Sequence, residues 1–303
     1  MLDVSPFTNH PSPITNHPSP VTSHQSPVTS HDTMNILFIG GGNMAAAIIG
    51  GLIAKGRAPS SLHAVDVLPE ALSRLEKQFD ISTSADARAA VAGTDCIVLA
   101  VKPQQMQEVA TAIAPVLQGQ LIISIAAGIR GSDLSRWLGP AAQVVRAMPN
   151  TPALVTAGIT GLYAMPGVSS AHRKNAENIL AAVGTTFWVD QEIQLDAVTA
   201  VSGSGPAYVF YFIEALEQAG RELGLSPEIA RQSALATFAG AVKLATSDAT
   251  DPATLRARVT SKGGTTERAI SVLDEAAVKA AFIRAVRAAA ARAAEMGDAL
   301  GKG

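Results

Sequence analysis

Two rhythms of apolar residues run through the chain. Up to about residue 190, short strand-like stretches, most of them apolar runs, stand at 36–39, 62–66, 81–83, 95–101, 120–125, 143–148, 156–164 and 185–189. Runs of this length, closed off by Gly, Pro or Asp, predict strands, the longest apolar ones buried on both faces. Helix-like segments at 44–52, 69–79, 85–92, 104–117 and 171–183 lie between them, one opened by Pro69. Strands alternating with helices predict an α/β fold with a doubly wound, mostly parallel sheet. The rhythm changes near Asp190. From Glu192 onward, Ala-, Leu- and Glu-containing segments at 194–201, 206–223, 227–247, 252–259, 266–274 and 277–300 predict helices alone, with start signals at Ser226-Pro227-Glu228 and Asp251-Pro252. The expected organisation is a sheet domain over 34–190 followed by an all-helical domain over 191–303. Residues 277–300 carry apolar positions on more than one stripe, which suits burial on several sides, including against a second subunit.

Composition bounds the function. The 303 residues, 48% of them apolar, suffice for two domains. A net charge of -2 leaves no electrostatic footprint for nucleic acid or an anionic membrane. No apolar run reaches the roughly 18–20 residues of a membrane span. The lone Cys96 sits inside an apolar strand run, so it reads as a core residue, and a reducing, cytoplasmic compartment is expected. Residues 1–33 stand apart, repeating Ser-Pro-x-Thr-x-His as at Ser12-Pro13-Ile14-Thr15-Asn16-His17. A proline in every unit and few large apolar side chains predict a disordered tail. It lacks the basic start and apolar middle of a signal peptide, and Met34 is expected to be the true start. Its regularly spaced histidines are not read as a metal site.

The first candidate chemistry follows the first strand. Phe38-Ile-Gly-Gly-Gly-Asn-Met44 continues into Ala45, so Gly40, Gly42 and Ala45 match G-x-G-x-x-A between a strand and a helix. This is the Rossmann arrangement for a dinucleotide pyrophosphate. The first glycine makes the tight turn, the second lets phosphate approach the backbone, and Ala45 lets helix and strand pack closely. Asn43 and Met44 open that helix. Asp66, at the end of the second strand, is placed to accept hydrogen bonds from the adenosine ribose and to repel a 2′-phosphate. With Arg74 a full helix away, this pattern favours NADH over NADPH. Lys102-Pro103 and the small residues Ala126-Ala127 follow later strands at the same sheet edge.

Two glycine-rich joints lie in the helical half, Ser202-Gly-Ser-Gly-Pro206 and Ser261-Lys-Gly-Gly-Thr-Thr266. Each is expected to break the chain before a helix. In the second, Ser261, Gly263, Gly264, Thr265 and Thr266 put backbone N–H groups and hydroxyls at a helix N-terminus, a receptor for a carboxylate.

These segments, with Leu99-Ala-Val-Lys-Pro-Gln104, Ser124-Ile-Ala-Ala-Gly128, Arg146-Ala-Met-Pro-Asn-Thr-Pro152 and Val201-Ser-Gly-Ser-Gly-Pro-Ala207, resemble the pyrroline-5-carboxylate reductase family, which completes proline biosynthesis. The resemblance runs from Met34 to about Met296. It implies a Rossmann domain binding NADPH or NADH, a helical dimerisation domain, a homodimer or higher homo-oligomer, and an active site between the domains. It implies that Gly263, Gly264 and Thr265 hold the substrate carboxylate, that Thr266 hydrogen-bonds the ring nitrogen with Ser261 nearby, and that Ala100, Val101, Lys102, Ala126 and Ala127 line the cofactor. Lys262 replaces a proline usual in the family, and the asparagine often found near Ala87 is absent. Because family members often use both cofactors, Asp66 and Ala87 leave that preference open.

The implied reaction reduces a cyclic imine. A protonated imine needs little beyond positioning, which suits a folded chain with only His63 and His172 outside the tail. A β-hydroxyacid dehydrogenase would want a lysine early in the helical domain, and residues 194–221 contain none. A non-catalytic nucleotide sensor would not need the hydroxyls of Ser261–Thr266.

Overall fold

The computed structural model describes residues 34–247 and 249–301; the repeat segment 1–33 lies outside them. Among the described residues eight strands form one sheet: β1 (Ile36–Ile39), β2 (Leu62–Val65), β3 (Ser82–Ser84), β4 (Cys96–Leu99), β5 (Leu121–Ser124), β6 (Gln143–Met148), β7 (Gly158–Ala164) and β8 (Gly184–Trp188). Their order is β3-β2-β1-β4-β5-β6-β7-β8. β1 lies parallel between β2 and β4, with Phe38 level with both Ala64 and Val98. The chain changes direction across the sheet at β1, and such a switch point opens a crevice at the strands' carboxyl ends. Only β6 and β7 pair antiparallel, Arg146 opposite Tyr163.

The central apolar runs are strands because both faces are covered, whereas the edge strands β3 and β8 are partly exposed. Alternate residues of the central strands belong to different cores. Phe38, Ala64, Val98 and Ile123 pack with Ile48, Ile49 and Leu52 of α1 (Asn43–Ala54) and Ile179 of α6 (Ser170–Leu180). Leu37, Ile97 and Ile122 face the other side, against Met106, Ala110 and Ile113 of α4 (Met106–Ile113) and Leu134 and Trp137 of α5 (Gly131–Leu138). Helix α5 was not among the expected elements. Its apolar residues Leu134, Trp137 and Leu138 do have helical spacing, but they fall within only eight residues. α2 (Pro69–Phe79) and the short α3 (Ala87–Ala90) complete this half. Cys96 is buried, and burial pushes its thiol pKa up.

After β8 come α7 (Gln194–Val198), α8 (Gly205–Glu222), α9 (Pro227–Ser247), α10 (Pro252–Arg258), α11 (Thr265–Glu275) and α12 (Val278–Leu300). The expected break at Ser202–Pro206 does not occur. A π-helical turn, Thr199–Gly203, carries α7 into α8. Ser202 and Thr199 donate their hydroxyls to carbonyls one turn back, at Val198 and Leu195, and Pro206 sits in the first turn of α8, where its missing N–H costs nothing. Only the C-terminal half of α12 is buried, at Ala293 and Gly297. Much of α8, α9 and α11 remains apolar and exposed, as at Phe210 (64%), Tyr211 (69%) and Leu223 (85%).

Candidate active site

β1 ends in the glycine turn. Gly40 has φ +107, and a Cβ on it would lie 2.6 Å from the carbonyl carbon and oxygen of Ala100, so only glycine fits. Its N–H donates to the Val65 carbonyl at 2.8 Å, tying the turn to the end of β2. Gly42 caps α1 in extended conformation, and a Cβ there would meet nothing within 4 Å. The first turn of α1 has no side-chain cap and no acidic residue. Its N–H groups and positive dipole end are therefore free to meet an anion.

Above this turn lies a cleft of about 590 Å³. Gly40, Gly42 and Asn43 line it from the turn, Asp66 from the end of β2, and Ala100, Val101 and Lys102 from beyond β4. Seven of the expected cofactor residues thus converge on one cavity. Met44, Ala45, Pro103, Ala126 and Ala127 are not among its lining residues. Ala45 is fully buried in the core beneath the turn, and Met44 packs against that core. Pro103 opens a 3₁₀ turn after Lys102, and Ala126 and Ala127 follow β5, buried and half-buried. The open, uncapped turn with a small-residue floor fits a dinucleotide.

At the adenosine end the expectation needs correcting. The Asp66 carboxylate already accepts from two backbone N–H groups, Gly41 at 2.6 Å and Leu68 at 2.9 Å. Arg74 is not remote from it. Its side chain reaches back along α2 and Nη2 donates to the Gly41 carbonyl at 2.6 Å, lining the same cleft. The helix is amphipathic, and Arg74 sits on the edge that faces the turn; sequence distance along a helix hid that proximity. Val67 and Leu68, 76% and 57% exposed, form an apolar flank beside Ala87, and sequence reasoning missed both.

The second candidate region opens α11. Gly263 adopts φ +72, and Gly264 is the N-cap residue with its N–H on the Ser261 carbonyl at 3.0 Å. The Ser261 hydroxyl folds over Gly264, where a Cβ would come within 2.6 Å of it. The Gly263 N–H donates to the Glu267 carboxylate at 2.7 Å. Ser261, Lys262, Gly263 and Thr265 are exposed, and Gly264 and Thr266 half-buried. None of these residues lines the dinucleotide cleft.

Sequence reasoning also missed the polar junction between sheet and helices. Arg130, in the connection after β5, donates from Nη1 to both carboxylate oxygens of Asp196 on α7, at 3.1 and 2.9 Å. Arg146 of β6 pairs with Glu192 at 2.6 Å, and Glu192 also accepts from the Gly131 N–H at 2.5 Å. Burial pulls the Arg146 pKa down, and the Glu192 charge opposes this. A second, mostly apolar cleft of about 460 Å³ brings Asn150 and Pro152 against Ser202, Pro206, Tyr208 and Phe282. Motifs separated by some fifty residues thus form one wall.

Known proteins with this chain's pattern are close. Residues 192–296 match the family model described as pyrroline-5-carboxylate reductase dimerisation. A pyrroline-5-carboxylate reductase of Pseudomonas aeruginosa is 48% identical over 271 residues, covering 89% of this chain and 99% of the relative. The chain belongs to the pyrroline-5-carboxylate reductase family. The Haemophilus influenzae reductase is 40% identical, over 86% of this chain and 97% of its own. Among solved structures, the pyrroline-5-carboxylate reductase of Coxiella burnetii superposes with a TM-score of 0.83 at 42% identity, covering 87% of this chain and 98% of that one. The Plasmodium falciparum pyrroline carboxylate reductase, solved with NADP bound, gives 0.80 at 29%, covering 88% and 99%. Residues 35–128 also match a model described as NADP oxidoreductase, coenzyme F420-dependent. Membership makes the chain an NAD(P)H-dependent oxidoreductase with a Rossmann-like sheet domain and a helical dimerisation domain. No described helix is long and apolar enough to cross a membrane, and no described group of three His, Cys, Asp or Glu could hold a metal ion.

Proposed function

We propose that this chain reduces 1-pyrroline-5-carboxylate to L-proline, and that its two glycine-rich turns divide the work. The observation that carries the reading is the pair of turns itself: an uncapped one at α1, built for an anionic dinucleotide, and one at α11 whose Gly263 N–H already holds a carboxylate, that of Glu267. Gly40, Gly42, Asn43, Met44 and Ala45 form the pyrophosphate cradle. Asp66, Ala100, Val101, Lys102, Pro103, Ala126 and Ala127 flank the rest of the cofactor.

Bound NADPH or NADH supplies the hydride that, with a proton on nitrogen, turns the imine C=N into CH–NH. The N–H groups of Gly263, Gly264 and Thr265 hold the substrate carboxylate, displacing Glu267 from Gly263. The Thr266 hydroxyl orients the ring nitrogen and relays a proton from water, with the Ser261 hydroxyl beside it. No histidine is called on. His63 is engaged by Ser82 and Ser84 on β3, and His172 lies on α6. Positioning of an electrophilic imine is the main contribution.

The chain works as a homodimer or higher homo-oligomer through α8–α12, whose exposed apolar side chains need a partner surface. We place it in the cytoplasm, in line with a family of soluble enzymes and a single buried thiol. The test is cofactor oxidation by the purified chain with pyrroline-5-carboxylate, NADPH and NADH in parallel. Proline formation with either supports the reading; no turnover by protein that binds the cofactor sinks it.

A further inference from the structure

The adenosine end of the cleft carries an unexpected balance of charge. Asp66 is its only carboxylate, and both carboxylate oxygens face backbone N–H groups, those of Gly41 and Leu68. Hydrogen bonds to N–H groups hold this charge in place and spread it into the turn, so it acts first as a brace for the glycine loop. Arg74 stands on the same wall. One of its five N–H donors is spent on the Gly41 carbonyl. Among the described residues no carboxylate lies within ion-pairing distance of it. Arg74 also lines a shallow recess beside the cleft, with Ser73, Lys77, Gln78 and one carboxylate, Glu70, which is not ion-paired to it. A planar cation with free donors, fixed at one end to the pyrophosphate turn, matches a phosphate monoester in charge and geometry.

We propose that Arg74 is the specificity-determining residue of the adenosine site: its guanidinium binds the 2′-phosphate of NADPH, so Asp66 does not exclude it. This rests on the reading of the cleft as a dinucleotide site, and it reverses the preference for NADH that Asp66 alone would set. Lys77, on the same helix but lining only the outer recess, has no such role.

The test is calorimetric binding without any imine, using NADP⁺, NAD⁺, 2′,5′-ADP and ADP. The wild-type chain is expected to bind NADP⁺ at least as tightly as NAD⁺. Arg74→Gln should weaken NADP⁺ and 2′,5′-ADP on the order of tenfold or more, the effect of losing a charge-assisted hydrogen bond, with NAD⁺ and ADP within about twofold. Lys77→Gln should leave the ratio unchanged. Equal weakening of NADP⁺ and NAD⁺ by Arg74→Gln would reduce Arg74 to a loop brace and overturn the proposal. So would wild-type protein that prefers NAD⁺ about tenfold, a measurement that needs no variant to fold. Protein binding neither dinucleotide overturns the cofactor reading as well, whereas an unchanged ratio in Arg74→Gln overturns this proposal alone.

Discussion

Replacing Asp196 by alanine should destabilise the protein far more than any surface ion pair could. The Arg130–Asp196 pair joins the turn after β5 to α7, with side chains only 17% and 9% exposed. Removing the carboxylate leaves the guanidinium with one weak contact, the Ala294 carbonyl at 3.5 Å. There is no room for Arg130 to swing away on that side: a Cβ on Gly297 would lie 2.6 Å from its Nε, so helix α12 is packed directly on it. Breaking one partner of a buried pair costs about 3–5 kcal/mol, a hundredfold or more in the folded-to-unfolded ratio. At roughly 2–4 °C per kcal/mol for a chain of this size, the thermal midpoint should fall by ~6–20 °C. Removing Lys174, whose pair with Glu177 is 61% and 32% exposed, should cost at most about 1 kcal/mol. The double variant Arg130→Met/Asp196→Leu should recover most of the loss, because apolar groups of similar size carry no desolvation penalty. The assay is thermal and urea unfolding at fixed protomer concentration, since assembly contributes to apparent stability. The reasoning fails if Asp196→Ala behaves like the Lys174 variant, or if the double variant is as unstable as the single one.

Three further outcomes are expected. Gly40→Ala forces a side chain into the Ala100 carbonyl at φ +107, so the protein should lose dinucleotide binding or fail to fold; wild-type affinity for NADH in folded protein would refute the turn geometry. Thr266→Ala should lower turnover at least tenfold while cofactor affinity, read by fluorescence titration, stays the same, and Thr266→Ser should restore most of the rate. Burial lowers the His63 pKa in the folded chain, so the unfolded chain takes up the proton first as pH drops. Stability should be fully present above about pH 6.5 and decline as pH falls from there through the folded value. His63→Gln should flatten that part of the pH–stability profile, and an unchanged profile would count against the assignment.

The apolar rhythm was enough to determine the sheet. A strand buried on both faces must be a continuous apolar run, which located the central strands; the partly exposed edge strands β3 and β8 also fell within a residue or two of their expected places. The glycine turn was legible for a similar reason: Gly40 is demanded by a positive φ and a carbonyl at contact distance, which leave a mark at one position in the chain. The loop before α11 was legible as a local motif, because a helix N-terminus is built from consecutive residues. What the sequence could not determine is where long side chains end. Arg74 looks distant from Asp66 along the chain, yet the helix turns it back onto Gly41. The break read into Ser202–Pro206 vanished because hydroxyl-to-carbonyl bonds let the helix run on through a π turn, an alternative that glycine and proline alone do not reveal. The pairs Arg130–Asp196 and Arg146–Glu192 span 66 and 46 residues. No local pattern announces them, since a charge becomes costly, and so finds its partner, only after tertiary packing has taken the water away.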